Sequence, residues 1–481
     1  MGAHGHVKLN REQVEIKKDS LWSKLWIIGA VLALAGLGGA FATMPDDRTG
    51  LAKFWTSYAT ALSFALALGL GGLFFCILQH ITRASWSVVV RRLAENLALT
   101  LPFTALLSLP IYFGGESHHE NASHHAASDG GHEKKARLGE ACSPEAQCLE
   151  VLACDAGKCV EKVPSKFPGS HSIYEWTHTD VVQNDVMLSA KAPYLNEGSQ
   201  KTRIAFYIVV WSLLVWIFVG SSYKQDSAKD PEVLAHRMRW WAPLGISAFA
   251  MTTTFAAFDI LMSLDPHWFS TIFGVYYFTG AAVTIHSLLV VLCVLLQRSG
   301  YLNGVVSKEH YHDLGKFMFG FTVFWAYIAF SQYFLIWYAS IPEETQWFDY
   351  RGHGDWLTLS IVLVLGRFIL PWFALLRQPI KRTPAILVVI AGFIMLMEFI
   401  DLFWLVQPAY AHHQGHYFKV LGDKIQADHF HKHIDFAFSD LLTLLGFVGV
   451  ILAVFGWALT RYALVPVQDP RLDESLNHEN R

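Results

Sequence analysis

Along the chain, apolar positions gather into long runs separated by short polar connections, without the alternation that marks a half-buried strand. Ten of these runs approach or exceed the ~20 residues a helix needs to cross a hydrocarbon layer of roughly 30 Å. They cover residues 22–42, 54–79, 90–113, 204–221, 241–264, 271–296, 316–341, 356–376, 384–406 and 438–463. Each is expected to be a membrane-spanning helix, which makes the chain an all-α integral membrane protein. Between runs five and six stands Asp265-Pro266-His267. Proline lacks a backbone donor and biases its predecessor away from helix, so a tight connection is expected there.

Composition agrees with the pattern. The 481 residues are 53% hydrophobic and 16% charged, far from the balance of an ordinary soluble domain. A net charge near −3 argues against a nucleic-acid partner and leaves the lipid bilayer as the first one. The first run is long and has no small-residue cleavage pattern, so it is expected to remain as a helix and not to be removed as a signal peptide. Basic residues set the orientation, because Lys and Arg collect on the cytoplasmic side. Alternate segments, counted with the adjoining ends of the runs, carry 21 of them against 6 in the opposite short loops, which predicts both termini in the cytoplasm.

The expected organisation is a tail with spans 1 to 3 (1–113), a long periplasmic segment (114–203), spans 4 to 10 (204–464) and a cytoplasmic tail (465–481). The long segment holds the His-rich run HHENASHHAASDGGH and then Cys142, Cys148, Cys154 and Cys159. Four cysteines on an oxidising side are read as two disulfides, with three pairings open. A zinc or iron–sulfur site competes, but the spacing lacks the Cys-x-x-Cys turns such sites use, and no metal site is expected. The histidine run reads as a solvated linker. Cys76 and Cys293, inside spans 2 and 6, read as buried small apolar residues. The chain has no haem-attachment motif, ferredoxin run, P-loop or dinucleotide fingerprint. Any electrons would pass through a partner or a diffusible carrier.

Chemistry within the membrane must therefore come from ionisable residues in the spans, which are costly to bury. Asp259 in span 5, Glu398 and Asp401 in span 9, and Asp440 in span 10 fall in the outer half. Arg367 is near the middle of span 8, about 16 Å deep, and His286 is about 22 Å inward along span 6. These six are candidates for a proton route. His80, Glu95, His312 and Asp313 stand near the inner face. Plainer roles compete: Arg367 in a structural ion pair, His286 bonded to a helix carbonyl, Asp259 bracing the turn, Asp440 at a helix N-terminus. In the aromatic run of span 7, Tyr327, Ser331, Gln332 and Tyr333 could offer polar contacts to a quinone ring.

Five stretches also carry a resemblance: SLDPHWFSTIFGVYYFTG (263–280), HDLGKFMFGFTVFWAYIAFSQYFLIWYASIPEET (312–345), WSVVVRR (86–92), KAPYLN (191–196) and DPRLDESLN (469–477). Together they resemble the ActF-type, quinone-binding membrane subunits of bacterial alternative complex III, within the wider NrfD/PsrC-like family. The resemblance covers the chain except about residues 115–167. It implies two four-helix bundles, spans 2–5 and 6–9, flanked by spans 1 and 10. It also implies a bacterial cytoplasmic membrane and a quinol:cytochrome c oxidoreductase. Partners would be an iron–sulfur protein, a multihaem cytochrome c and a related ten-span subunit. No covalent cofactor is expected in this chain, only an association with quinone or menaquinone. Two other classes compete. A proton-coupled transporter would need broken helices around a midplane site, which the pattern does not show; a purely structural subunit would tolerate neutral replacement of the buried acids.

Overall fold

In hydrocarbon each backbone N–H and C=O must find its partner inside the protein, and an α-helix does this within one segment. The computed structural model, which describes residues 10–113, 152–155, 158–161, 173–421 and 433–480, obeys that rule. Among the described residues ten helices are long and apolar enough to cross a membrane. They are α1 (Leu21–Ala42), α2 (Thr49–Ile81), α3 (Val88–Tyr112), α4 (Glu197–Gln225), α5 (Pro231–Leu264), α6 (Phe273–Arg298), α7 (Lys308–Ala339), α8 (Gly354–Leu376), α9 (Pro384–Ala409) and α10 (Phe438–Arg461).

All ten sequence-predicted runs are found, and most helices extend beyond them. The reason is local: hydropathy reads only the part in lipid, whereas caps decide where a helix starts. α4 begins at Glu197 because the Asn196 side chain accepts the Ser199 N–H, and α5 begins at Pro231 behind an Asp230 cap. At the predicted break α5 ends in a 3-10 turn, Met262–Leu264, and a second turn follows, closed by the Trp268 N–H on the Asp265 carbonyl at 3.2 Å.

α2 and α6 form the axis. The most apolar window of α2 is 94% buried and that of α6 83%, against 17% for α1 and 28% for α7 and α8. α2 packs against α3, α5, α6, α9 and α10, and α6 against α2, α5, α7 and α9. Gly71 lets the two axial helices meet, since a Cβ there would stand 2.6 Å from the Ala281 carbonyl oxygen. α1 lies along α10 and is otherwise exposed.

The described N-terminal and C-terminal segments meet at one end of the helices. There the C-terminal segment folds back beneath the helices. The Leu464 N–H donates to the Val14 carbonyl (2.7 Å), Asp469 pairs with Arg91 (2.6 Å) and His478 reaches Asp313 (2.7 Å). β1 (Leu152–Asp155) and β2 (Lys158–Glu161) form an antiparallel hairpin that sets Cys154 opposite Cys159 in backbone register. Cys142, Cys148 and the His-rich run lie outside the described residues.

Candidate functional site

The buried ionisable residues of the spans fall into separate groups. At mid-depth, Arg367 of α8 pairs with Glu398 and, at 3.3 Å, with Asp401, both on α9 one turn apart. Its guanidinium also lies 4.4 Å from the centre of the Trp325 ring. The Tyr276 hydroxyl of α6 donates to Asp401 at 2.6 Å. Glycine at position 280 makes room for this group, because a Cβ there would sit 2.5 Å from Glu398 Oε1. Arg367 stands in a π-helical turn, Val364–Ile369, just before Pro371. A proline removes a backbone donor and crowds the preceding turn, and π turns are a recurrent way to absorb that and to re-aim a side chain.

Asp440 belongs to a second group at the end of the helices away from the termini. Lys53 of α2 pairs with it at 3.2 Å, Ser57 donates to it at 2.6 Å, and it accepts the Ala437 N–H at 2.9 Å. The helix-N-terminal reading of Asp440 is thus realised alongside an ion pair. Lys53 also donates to Gln407 of α9, which reaches Thr60 at 3.3 Å.

Asp259 forms a third group. Arg203 of α4 grips both its oxygens, at 2.8 and 2.9 Å, and the Tyr207 hydroxyl adds a bond at 2.7 Å. His286 stands apart from all three. Its Nδ1 bonds the Ala282 carbonyl of its own helix at 2.6 Å, and its ring stacks on Phe317 and Phe321. Its Nε2 is buried without a hydrogen-bond partner among the described residues.

The mid-depth group faces a cavity of ≈ 1090 Å³ between α7 and α8. The helix Pro342–Arg351 roofs it, and α9 with Tyr276 of α6 forms the back wall. Most of the lining is apolar and aromatic, including Trp325, Phe330, Ile336, Trp337 and Phe348; Asp401, Tyr276, Gln332, Ser360 and Arg351 are among its polar groups, and Asp349 and His353 stand at the roof. This is the form expected of a small-molecule site, slightly above the usual volume. Gln332 accepts from Ser270 at 2.8 Å and leaves its amide nitrogen without a hydrogen-bond partner among the described residues.

Of the four quinone candidates on α7, Gln332 and Tyr333 line this cavity, whereas Tyr327 and Ser331 do not, and Tyr327 is 63% exposed on the outer helix surface. The 3.6-residue period explains the split, since positions 327 and 331 share a face that 332 does not. Sequence reasoning missed Arg351, Arg203 and Lys53. The first lies in a polar connection, PEETQWFDYR, and the other two near helix ends, where a cation reads as a flanking charge. The signal available for Arg351 was its spacing of four from Trp347, which stacks a ring on the guanidinium.

Among the described residues no group of three or more His, Cys, Asp or Glu is arranged to hold a metal ion. No protein-family model matches the chain, and no curated protein matches it.

Proposed function

We propose that the chain is an integral membrane subunit of a quinol:cytochrome c oxidoreductase of the alternative complex III type, supplying a quinol-binding cavity and part of a proton route. One observation carries this reading: a large aromatic cavity whose back wall presents a buried carboxylate, Asp401, held by a tyrosine and an arginine. Oxidation of a quinol removes two electrons and two protons. A cavity that takes the apolar ring and tail, with a carboxylate at its wall, meets the proton half of that requirement. The electron half belongs to partners, an iron–sulfur protein and a multihaem cytochrome c.

In this reading Gln332 offers its amide to a ring oxygen, and Asp401 accepts a ring proton while Arg367 keeps Glu398. The Lys53, Asp440 and Gln407 group, at the end of the helices away from the termini, would continue the route toward the periplasm. The distribution of basic residues supports both termini in the cytoplasm, and the resemblance implies a bacterial inner membrane. The arrangement would be two four-helix bundles, α2–α5 and α6–α9, with α1 and α10 outside them.

Purification in mild detergent should bring down haem- and iron–sulfur-bearing subunits and quinol-dependent cytochrome c reduction. With that complex assembled, Asp401→Asn should slow quinol oxidation by about 100-fold, the scale of a lost general base. Unchanged turnover in an assembled Asp401→Asn complex would leave the acid as a structural brace.

A further inference from the structure

Two buried groups at the cavity hold charge of opposite sign without a full ion-paired counter-charge; Asp349, which also lines the roof, is exposed and lies beside His353. On the back wall, Glu398 and Asp401 share Arg367, so this group has one formal negative charge in excess. On the roof, Arg351 is 4% exposed and has no carboxylate within ion-pairing distance among the described residues. Three backbone carbonyls hold it instead, those of Trp347 (2.8 Å), Leu405 (3.1 Å) and Trp404 (3.3 Å). The Trp347 and Trp404 rings cover it at 3.5 and 4.9 Å. Carbonyls and rings favour a cation without cancelling its charge.

The charged and titratable neighbours of Arg351 are Asp265, Tyr350 and Tyr276. Asp265 stands across a small enclosed space and also faces Lys191. Burial nevertheless pushes the Arg351 guanidinium down to about 9, low for an arginine. Trp404 joins the two walls. It sits three residues beyond Asp401 on α9, roughly 5 Å of rise, and its Nε1 donates to Ser360, whose hydroxyl also holds the Arg351 carbonyl (2.8 and 3.0 Å).

Resting on the quinol reading above, we propose that Asp401 and Arg351 act as a proton-acceptor and oxyanion-binding pair, which selects a hydroxylated aromatic ring over its ether or carbonyl counterpart. The ring O–H bond breaks, a new O–H bond forms on the Asp401 carboxylate, and the electron pair stays on the ring oxygen. No electron leaves the ring in this step. Afterwards Arg367 and Glu398 are a balanced pair, Asp401 is neutral and still held by Tyr276, and the ring oxyanion faces Arg351. Each surplus charge, expensive to leave buried alone, is then matched or removed. An ether or a carbonyl has no proton to give and relieves neither wall.

The test uses the full chain with its co-purifying subunits and two probes, heptyl-hydroxyquinoline N-oxide and its O-methyl ether, followed by fluorescence quenching. The hydroxylated probe should bind about tenfold to 100-fold more tightly, the scale of a hydrogen bond to a charged group. Arg351→Gln should abolish that preference and Arg351→Lys should restore part of it. In weakly buffered medium, binding to the unmodified protein should release no proton, because Asp401 keeps it. Equal affinity for both probes, a preference that survives Arg351→Gln, or one proton released per bound probe would overturn the pair and leave the quinol site standing. A released proton overturns the pair even where Arg351→Gln fails to assemble. Binding of neither probe to the unmodified protein would remove the quinol reading itself.

Discussion

A single carboxylate can be a proton carrier or a brace, and its partners decide which description fits. Asp259 was legible in the sequence as a buried acid, but Arg203 was not legible as its partner, because the two lie 56 positions apart on different helices. With both oxygens gripped by one guanidinium, Asp259→Asn should cost about 2–4 kcal/mol in a detergent melt, chiefly by stranding Arg203. The double variant Asp259→Asn with Arg203→Gln should cost less than the two single changes added together. Simple additivity would show that the pair does not act as a unit. Gly280 gives a second residue-scale case. Gly280→Ala places a methyl group against Glu398 and Arg367 without removing any charge. It should disturb the acid group and lower the proposed quinol oxidation while the other helices stay packed; full activity would mean that the group's geometry is not needed.

At the scale of elements, the ten helices were readable because lipid demands long apolar runs, and their bounds were less so because caps and water-side turns are short and polar. The mate of each helix was not readable at all. α1 shows why: nothing in a run of Leu, Ala and Gly says which helix it will touch. Its small residues meet those of α10 backbone to backbone, so that a Cβ at Gly36 would stand 2.3 Å from the Gly446 nitrogen. Without a hydrophobic drive between helices in lipid, such close contact is what holds them together. Gly36→Leu should therefore release α1 from α10 and cost about 3 kcal/mol or more, by analogy with overpacking. Protease sensitivity of the chain before α2 would report it, and an unchanged digest would contradict the packing. The helix Pro342–Arg351 marks the opposite limit. Its sequence reads as a polar loop, yet it roofs the cavity and brings in Arg351, so half of the proposed site came from a segment whose polarity concealed it.

Across the whole molecule, the returning C-terminal segment ties the ends of several helices together on one side. Its resemblance-bearing stretch DPRLDESLN was legible as a motif, but its place was not, since no hydropathy pattern says that a tail returns. Asp469 meets Arg91, which is fully buried and also bonded to Glu95 at 3.0 Å. Ser475 holds the Trp86 carbonyl at 2.8 Å, and its own carbonyl lies 3.1 Å from His310 Nε2. Burial pushes the Asp469 carboxyl up, but the Arg91 guanidinium and the Arg471 N–H outweigh it and hold the group below the ordinary carboxylate range. A depressed folded-state pKa contributes stability that is present above the unfolded value of about 3.9 and is lost as pH falls through the lower folded value. Melts of the purified protein at falling pH should therefore show an acid-sensitive component below about pH 4. Asp469→Asn should lack that component and be less stable at neutral pH by about 3–5 kcal/mol, the scale of a broken buried pair. If the variant and the parent melt alike at neutral pH, the tail is an adornment on the helices and not the tie that closes their ends.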